Sequence, residues 1–201
     1  TAGAPAPQAP LYGAHKHQPA GAQTQIHRAE APHIPVGTAR PQNAMEIKKV
    51  VTFRASSIGD CLMAKYLLEN IRVSYPNARC AIVVAGRGAM IRDLLAAYPW
   101  IEVIEANRRS PRQLWRLLRN FLGSDVVVTL YTGGTVTLPT KIMARLLAYR
   151  GILIGYADRS SLNKHIFDTV IPLPADRSRA PRLLEHDALA AAGLPVKVER
   201  M

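Results

Sequence analysis

A Rossmann-like α/β fold, a parallel sheet with helices on both faces, is what this sequence predicts. Three observations carry the prediction. From residue 45 onward, short apolar runs alternate with longer runs whose apolar residues recur at helical spacing. Repeated strand-then-helix units imply parallel strands joined by crossover helices. The run from Asp125 to Leu130 is nearly all apolar, as a strand covered on both faces must be.

The elements follow in order. A strand at about 48–54 leads to a helix at about 61–75, where Leu62, Tyr66, Leu67 and Ile71 repeat at helical spacing. Pro76-Asn77 ends that helix. A second strand, Cys80 to Ala85, is followed by Gly86-Arg87-Gly88 and a helix to about Tyr98. The third strand is Ile101 to Ile104, and Pro111 suits the first turn of a helix at about 111–122. After the fourth strand at 125–130 come Thr132-Gly133-Gly134-Thr135 and a helix at about 138–149. A fifth strand spans Gly151 to Ile154, a sixth Asp168 to Leu173, and a last helix at about 180–192 stops at Gly193.

The first 44 residues are different. They are rich in Ala, Pro, Gln and Gly, show no helical or strand period, and predict a disordered tail. They hold four of the six histidines (His15, His17, His27, His33), at a spacing that fits no standard ligand pattern. Residues 45–196 are then one Rossmann-like domain, and 197–201 begin a linker.

The chain has 201 residues, 48% hydrophobic content and a formal charge of +12. This balance describes a globular protein that favours anionic partners such as phosphorylated sugars, lipid headgroups or nucleic acid. Aromatics are only 6%, and RNA-binding aromatic signatures are absent, so a specific nucleic-acid partner is not expected. The two cysteines, Cys61 and Cys80, make neither a disulfide framework nor a metal motif. Cys61 is either a thiol activated near a helix N-terminus or a small packed residue, and the packed reading is the commoner one. His165 and His186 are isolated, so no metal constellation and no metal ligand is expected. No apolar run approaches the length of a membrane span, and no signal-peptide pattern opens the chain.

The right-handed crossover rule puts every strand-exit loop on one rim: 54–60, 85–88, 131–135 and 155–163. The first of these, Arg54-Ala55-Ser56-Ser57-Ile58-Gly59-Asp60, is the richest in chemistry. Ser56, Ser57 and Gly59 allow a ligand to approach the backbone. The helix N-terminus keeps the Asp60 carboxylate ionised, so that it can accept a proton from a hydroxyl. Asp is also a favoured capping residue, and from the position alone capping is the commoner role. Arg54 and Arg87 are candidate anion contacts, as are the backbone groups of Thr132, Gly133 and Gly134. The Gly86-Arg87-Gly88 stretch lacks the third glycine of a dinucleotide fingerprint, and the Thr132–Thr135 loop lacks a Walker lysine. The helix at 111–122 carries Arg109, Arg112, Arg116 and Arg119 on one face, with Trp115 beside them, and Leu114, Leu117, Leu118 and Phe121 on the other. Such a helix packs its apolar face inward and can turn its basic face to an anionic membrane surface.

In this order the residues resemble glycosyltransferase family 9, the bacterial lipopolysaccharide heptosyltransferases and relatives. The resemblance runs from residue 47 to 196. It is carried by Arg54 to Asp60, Tyr75-Pro76-Asn77-Ala78-Arg79, Tyr98-Pro99-Trp100-Ile101, Ile154-Gly155-Tyr156 and Ala192-Gly193-Leu194-Pro195-Val196. It implies the N-terminal, acceptor-binding half of a two-domain GT-B enzyme. Such an enzyme transfers a sugar, usually from ADP-heptose, to a lipopolysaccharide core acceptor with inversion and without a metal or other cofactor. It implies that Asp60 is the base, and that the protein works in the cytoplasm, peripheral to the inner membrane. The sequence departs from the family at Leu130-Tyr131-Thr132-Gly133-Gly134, where an acidic-x-Gln-Gly stretch is usual, and at Asn163-Lys164, where an Arg-Glu pair is usual. The donor half lies beyond residue 201, so this chain alone is expected to bind acceptor rather than to transfer sugar. The alternative reading is a non-catalytic Rossmann-like module that binds a nucleotide or anion on the same rim.

Overall fold

The computed structural model describes residues 46–54, 58–107, 109–129, 136–157, 160–172 and 181–198, without the side chains of Arg54, Asp60 and 181–184. The predicted tail and the Thr132–Thr135 loop lie outside the described residues.

The described residues build six parallel strands: β1 (Lys49–Arg54), β2 (Arg79–Val84), β3 (Ile101–Glu105), β4 (Val126–Thr129), β5 (Ile152–Tyr156) and β6 (Thr169–Ile171). The helices between and after them are α1 (Ile58–Ser74), α2 (Gly88–Leu94), α3 (Pro111–Phe121), α4 (Leu138–Leu147), α5 (Asn163–Ile166) and α6 (Pro181–Ala191). The strand order is β3-β2-β1-β4-β5-β6. The Rossmann-like α/β class read from the sequence is therefore what the chain adopts.

Two apolar layers cover the sheet. Leu67, Leu68 and Ile71 of α1, Ile91 of α2 and Leu189 of α6 pack on one face with Val50, Ile82 and Ile154. Leu117 and Phe121 of α3, and Ala144 and Leu147 of α4, pack on the other with Val51, Val83, Val127 and Leu153. Alternate strand residues feed opposite layers, as the pleat requires. Each fully buried aliphatic or aromatic side chain contributes about 1.5–3 kcal/mol relative to exposure. The terminal segment is fastened as well. Asn70 of α1 accepts hydrogen bonds at Oδ1 from the N–H groups of Lys197 (2.6 Å) and Val198 (2.8 Å). Its Nδ2 donates to the carbonyls of Tyr66 (3.1 Å) and Val198 (3.3 Å).

Several boundaries differ from expectation. The first helix begins at Ile58 rather than Cys61, so the backbone of Asp60 lies inside the first turn. Cys61 is consequently turned into the core and buried, which favours the packing role. α2 ends at Leu94 rather than near Tyr98, because Ala96 and Tyr98 donate to the carbonyls of Asp93 and Leu95 in tight turns ahead of Pro99. β5 continues through Tyr156, so Gly155 and Tyr156 are strand residues and not part of an exit loop. Gly155 fits there because the Phe167 ring occupies the place of a side chain, 2.5 Å from where a Cβ would stand. The short helix α5 has no counterpart in the expected element order. One turn is too brief to show a period. Arg109 precedes α3 rather than belonging to it, with its N–H bonded to Asn107 Oδ1 at 2.9 Å.

Candidate active site

Strand order decides where a ligand can sit. From β1 the chain moves outward through β2 to β3, then crosses back to place β4 on the other side of β1. The crossovers from β1 and β4 therefore diverge to opposite faces and leave a crevice beyond the strand ends, the place where open α/β sheets bind ligands. Phe53 of β1 pairs with Thr129 of β4, so both strands finish side by side at this crevice. The chain leaves β1 at Arg54 and enters α1 at Ile58; it leaves β4 at Thr129 and enters α4 at Leu138. The described ends of β1 and β4, from which the first and third candidate loops depart, thus meet at one crevice.

The floor is buried and hydrogen-bonded. Thr52 and Thr129 are buried, and their hydroxyls donate to the carbonyls of Ala81 and Ile154, each at 3.3 Å. Above it, Ile58 and Gly59 are exposed at the start of α1. The backbone of Asp60 is the third residue of that helix, within the first turn whose N–H groups lack carbonyl partners and favour an anion. The Asp60 and Arg54 side chains, and all of Ser56, Ser57, Thr132, Gly133 and Gly134, lie outside the described residues.

Arg87 stands on the same rim. β2 pairs with β1 up to Arg54 and Val84, so the Gly86–Gly88 loop leaves the sheet beside the β1 exit. Arg87 is exposed and adopts the left-handed conformation, φ 58° and ψ 25°, as the N-cap of α2. A non-glycine residue there costs about 1–2 kcal/mol. Gly88 suits its place for a different reason: a Cβ on it would crowd the Glu105 side chain, 2.7 Å from Oε2 and 3.1 Å from Cβ. Of the two glycines only Gly88 is closely approached by β3; a Cβ on Gly86 would stand in open space.

The structure adds one residue that sequence reasoning passed over. Lys141, in the first half of α4, is buried. Its Nζ donates to Asn163 Oδ1 at 2.6 Å and lies 5.7 Å from the centre of the Phe167 ring. Asn163 and Phe167 come from the segment after β5, so this buried cation ties the β4 and β5 crossovers together near the crevice. A lysine on an amphipathic helix ordinarily reads as surface, and no signal in the sequence marked it for burial. Arg112, Arg116 and Arg119 do not join the rim: they are exposed on the outer surface of α3. His165 and His186 are also exposed, and the described residues contain no cluster of three metal-ligating side chains. Among the described residues, no helix is long and apolar enough to cross a membrane.

No protein-family model and no curated protein matches the chain by sequence. Solved structures do match. A glycosyl transferase family 9 protein from Veillonella parvula DSM 2008 is similar with a TM-score of 0.54 and 17% identity, over 78% of this chain and 46% of that one. The chain has the fold found in glycosyltransferase family 9. E. coli heptosyltransferase WaaC, solved with ADP-2-deoxy-2-fluoro heptose, is similar at the same TM-score and 16% identity, over 76% of this chain and 50% of that one. The likeness is one of fold, and the chain spans about half the length of these structures. It meets the resemblance carried by the sequence around Asp60.

Proposed function

We propose that this chain is the acceptor side of an inverting, heptosyltransferase-like glycosyltransferase, and that Asp60 is its general base. The observation that carries the reading is the position of Asp60. It lies in the first turn of the helix that follows β1, at the strand-order reversal where such folds hold ligands. In the reaction the acceptor hydroxyl oxygen attacks the anomeric carbon of the donor. The bond from that carbon to the nucleoside diphosphate breaks, and the hydroxyl proton passes to the Asp60 carboxylate. Arg87 and Arg54, with the backbone of Thr132, Gly133 and Gly134, are assigned to the acceptor anions, and Ser56, Ser57 and Gly59 to the approach of the acceptor to the backbone.

The donor is a nucleotide sugar, with ADP-heptose first in line because the fold neighbour from E. coli was solved with an ADP-heptose analogue. The acceptor is an anionic lipopolysaccharide-core glycolipid, in keeping with a chain of formal charge +12. The donor is held by a second domain after the linker that begins near residue 197.

The test is sugar transfer from ADP-heptose to a Kdo-bearing lipid A acceptor by the protein with its donor domain, comparing wild type with Asp60→Asn. Loss of transfer with unchanged acceptor binding is expected. Near-normal turnover in the variant would remove Asp60 from the chemistry.

A further inference from the structure

We propose that the outer face of α3 and α4 is a docking surface for an anionic lipid bilayer. The inference rests on the surface of these two helices and stands whether or not the reaction at Asp60 does.

Both helices cover the same face of the sheet. Their inner residues, Leu117 and Phe121 from α3 and Ala144 and Leu147 from α4, share one core layer. Their C-terminal ends touch: the Ser124 N–H donates to the Leu147 carbonyl at 2.8 Å, and the Tyr149 ring lies against Gly123. The outward surfaces therefore adjoin at the C-terminal ends of the two helices.

Those surfaces differ in chemistry and complement one another. At 100° per residue, Arg112, Trp115, Arg116 and Arg119 fall in one stripe along α3, and all four are exposed, Trp115 to 65%. On α4, Leu138, Ile142 and Leu146 recur every fourth residue and are 46%, 50% and 47% exposed. Three large aliphatic side chains in line on the outside of a helix are unexpected for a face that meets only water. Neither helix contains an acidic residue. A stripe of arginines with a tryptophan, beside a stripe of aliphatics, is the composition that binds the interface of an anionic bilayer. The guanidinium groups reach lipid phosphate while Trp115, Ile142 and Leu146 enter the acyl boundary.

Other occupants fit worse. A second copy would bring the same arginines and no carboxylate from either helix to the contact. Residues 1–44 hold one acidic residue, Glu30, against Lys16, Arg28 and Arg40, so the chain's own tail does not complement the surface. Nucleic acid would meet the arginines but gain nothing from the aliphatic stripe.

The experiment is co-sedimentation of the 201-residue chain with vesicles of phosphatidylcholine alone and of phosphatidylcholine with phosphatidylglycerol. Binding to the mixed vesicles only is expected. The triple variant R112E/R116E/R119E should weaken it by about 100-fold or more. The double variant Ile142→Ser with Leu146→Ser should weaken it by roughly 10-fold. A charge-matched control on exposed cations elsewhere, K48E/R92E/K197E, should stay near wild type. Equal losses in the control would overturn the proposal in favour of diffuse charge. An unaffected double variant would overturn the bilayer in favour of a purely electrostatic anion surface, and a concentration-dependent dimer lost in the same variants would put a second copy there. Should a multiple variant fail to fold, brominated lipids give the answer on the unmodified chain. They should quench its fluorescence, and should not quench a Trp115→Phe chain that retains Trp100. Equal quenching of both chains would also overturn the proposal.

Discussion

Where the strands begin, acidic side chains close on the chain itself. Asp125 accepts at Oδ2 from the N–H groups of Lys48 (2.7 Å) and Lys49 (2.8 Å). Asp168 accepts from the Leu153 N–H (2.8 Å) and from Arg145 (2.6 Å), and Arg79 pairs with Glu102 at 2.7 Å. A Cβ at Gly151 would stand 2.0 Å from the Ser124 carbonyl oxygen. Where the strands end, Arg87 is exposed in a left-handed conformation and α1 opens with an acidic residue in its first turn. The rim where the strands begin uses these polar groups to hold the sheet. At the other rim, polar bonds within the chain gather beyond β3, where Asn107 accepts from the Arg109 N–H and Gln113 accepts from the Asn107 N–H, while Arg87 is left exposed. Under the proposed function, the same sheet separates stability from chemistry by strand direction.

That division can be broken experimentally. The largest effect is expected at the strand ends: Asp60→Asn should cost on the order of 100-fold or more in turnover. Its denaturation midpoint should match wild type, and a variant that loses both together would erase the distinction between the rims. Gly151→Ala sits at the opposite rim and forces backbone apart; a loss of about 3 kcal/mol in urea unfolding is expected. Asp125→Ala leaves two strand N–H groups without their acceptor and should cost about 2 kcal/mol, with Asp125→Asn recovering part of it. Neither change should alter acceptor KM in the fraction that remains folded.

Arg87→Gly sharpens the comparison from the other side. Removing a side chain from the left-handed region should stabilise the fold by about 1 kcal/mol, while acceptor KM rises if Arg87 holds an anion. A variant that is more stable and binds equally well would return Arg87 to ordinary surface. The smallest effect is a pH dependence in the core. Burial pushes the Cys80 thiol up to about 12, so the folded chain holds this proton more tightly than the unfolded chain. The stabilisation is complete below the ordinary thiol range and is lost as pH rises toward about 12. Unfolding free energy measured from pH 8 to 11 should fall in wild type, and fall less steeply in Cys80→Ala.

Much of the fold was legible because its signals are local. Pro111 marks the start of α3 and Gly193, at φ 65°, the end of α6, since each residue's own backbone limits decide the turn. The two faces of α3 were legible because helical spacing alone separates Leu117 and Phe121 from the arginines. Asp60 was legible as a candidate because a small-residue loop before an acid at a helix start is a local pattern. Lys141 was not, because its burial depends on Asn163 and Phe167, supplied by a later segment. The outward stripe on α4 was also missed, because its exposure depends on which side of the helix meets the sheet.

The amino-acid sequence by itself determined the alternation of strand and helix, the parallel sheet and the identity of the loop that carries Asp60. Periodicity and turn chemistry act over a few residues and need no partner. Only the tertiary structure decided that β4 lies beside β1, joining Val50 to Val126 across the sheet. That pairing, between segments 76 residues apart, is set by side-chain layers and crossover handedness. It brings the ends of β1 and β4 to one crevice, beside the start of the helix that carries Asp60.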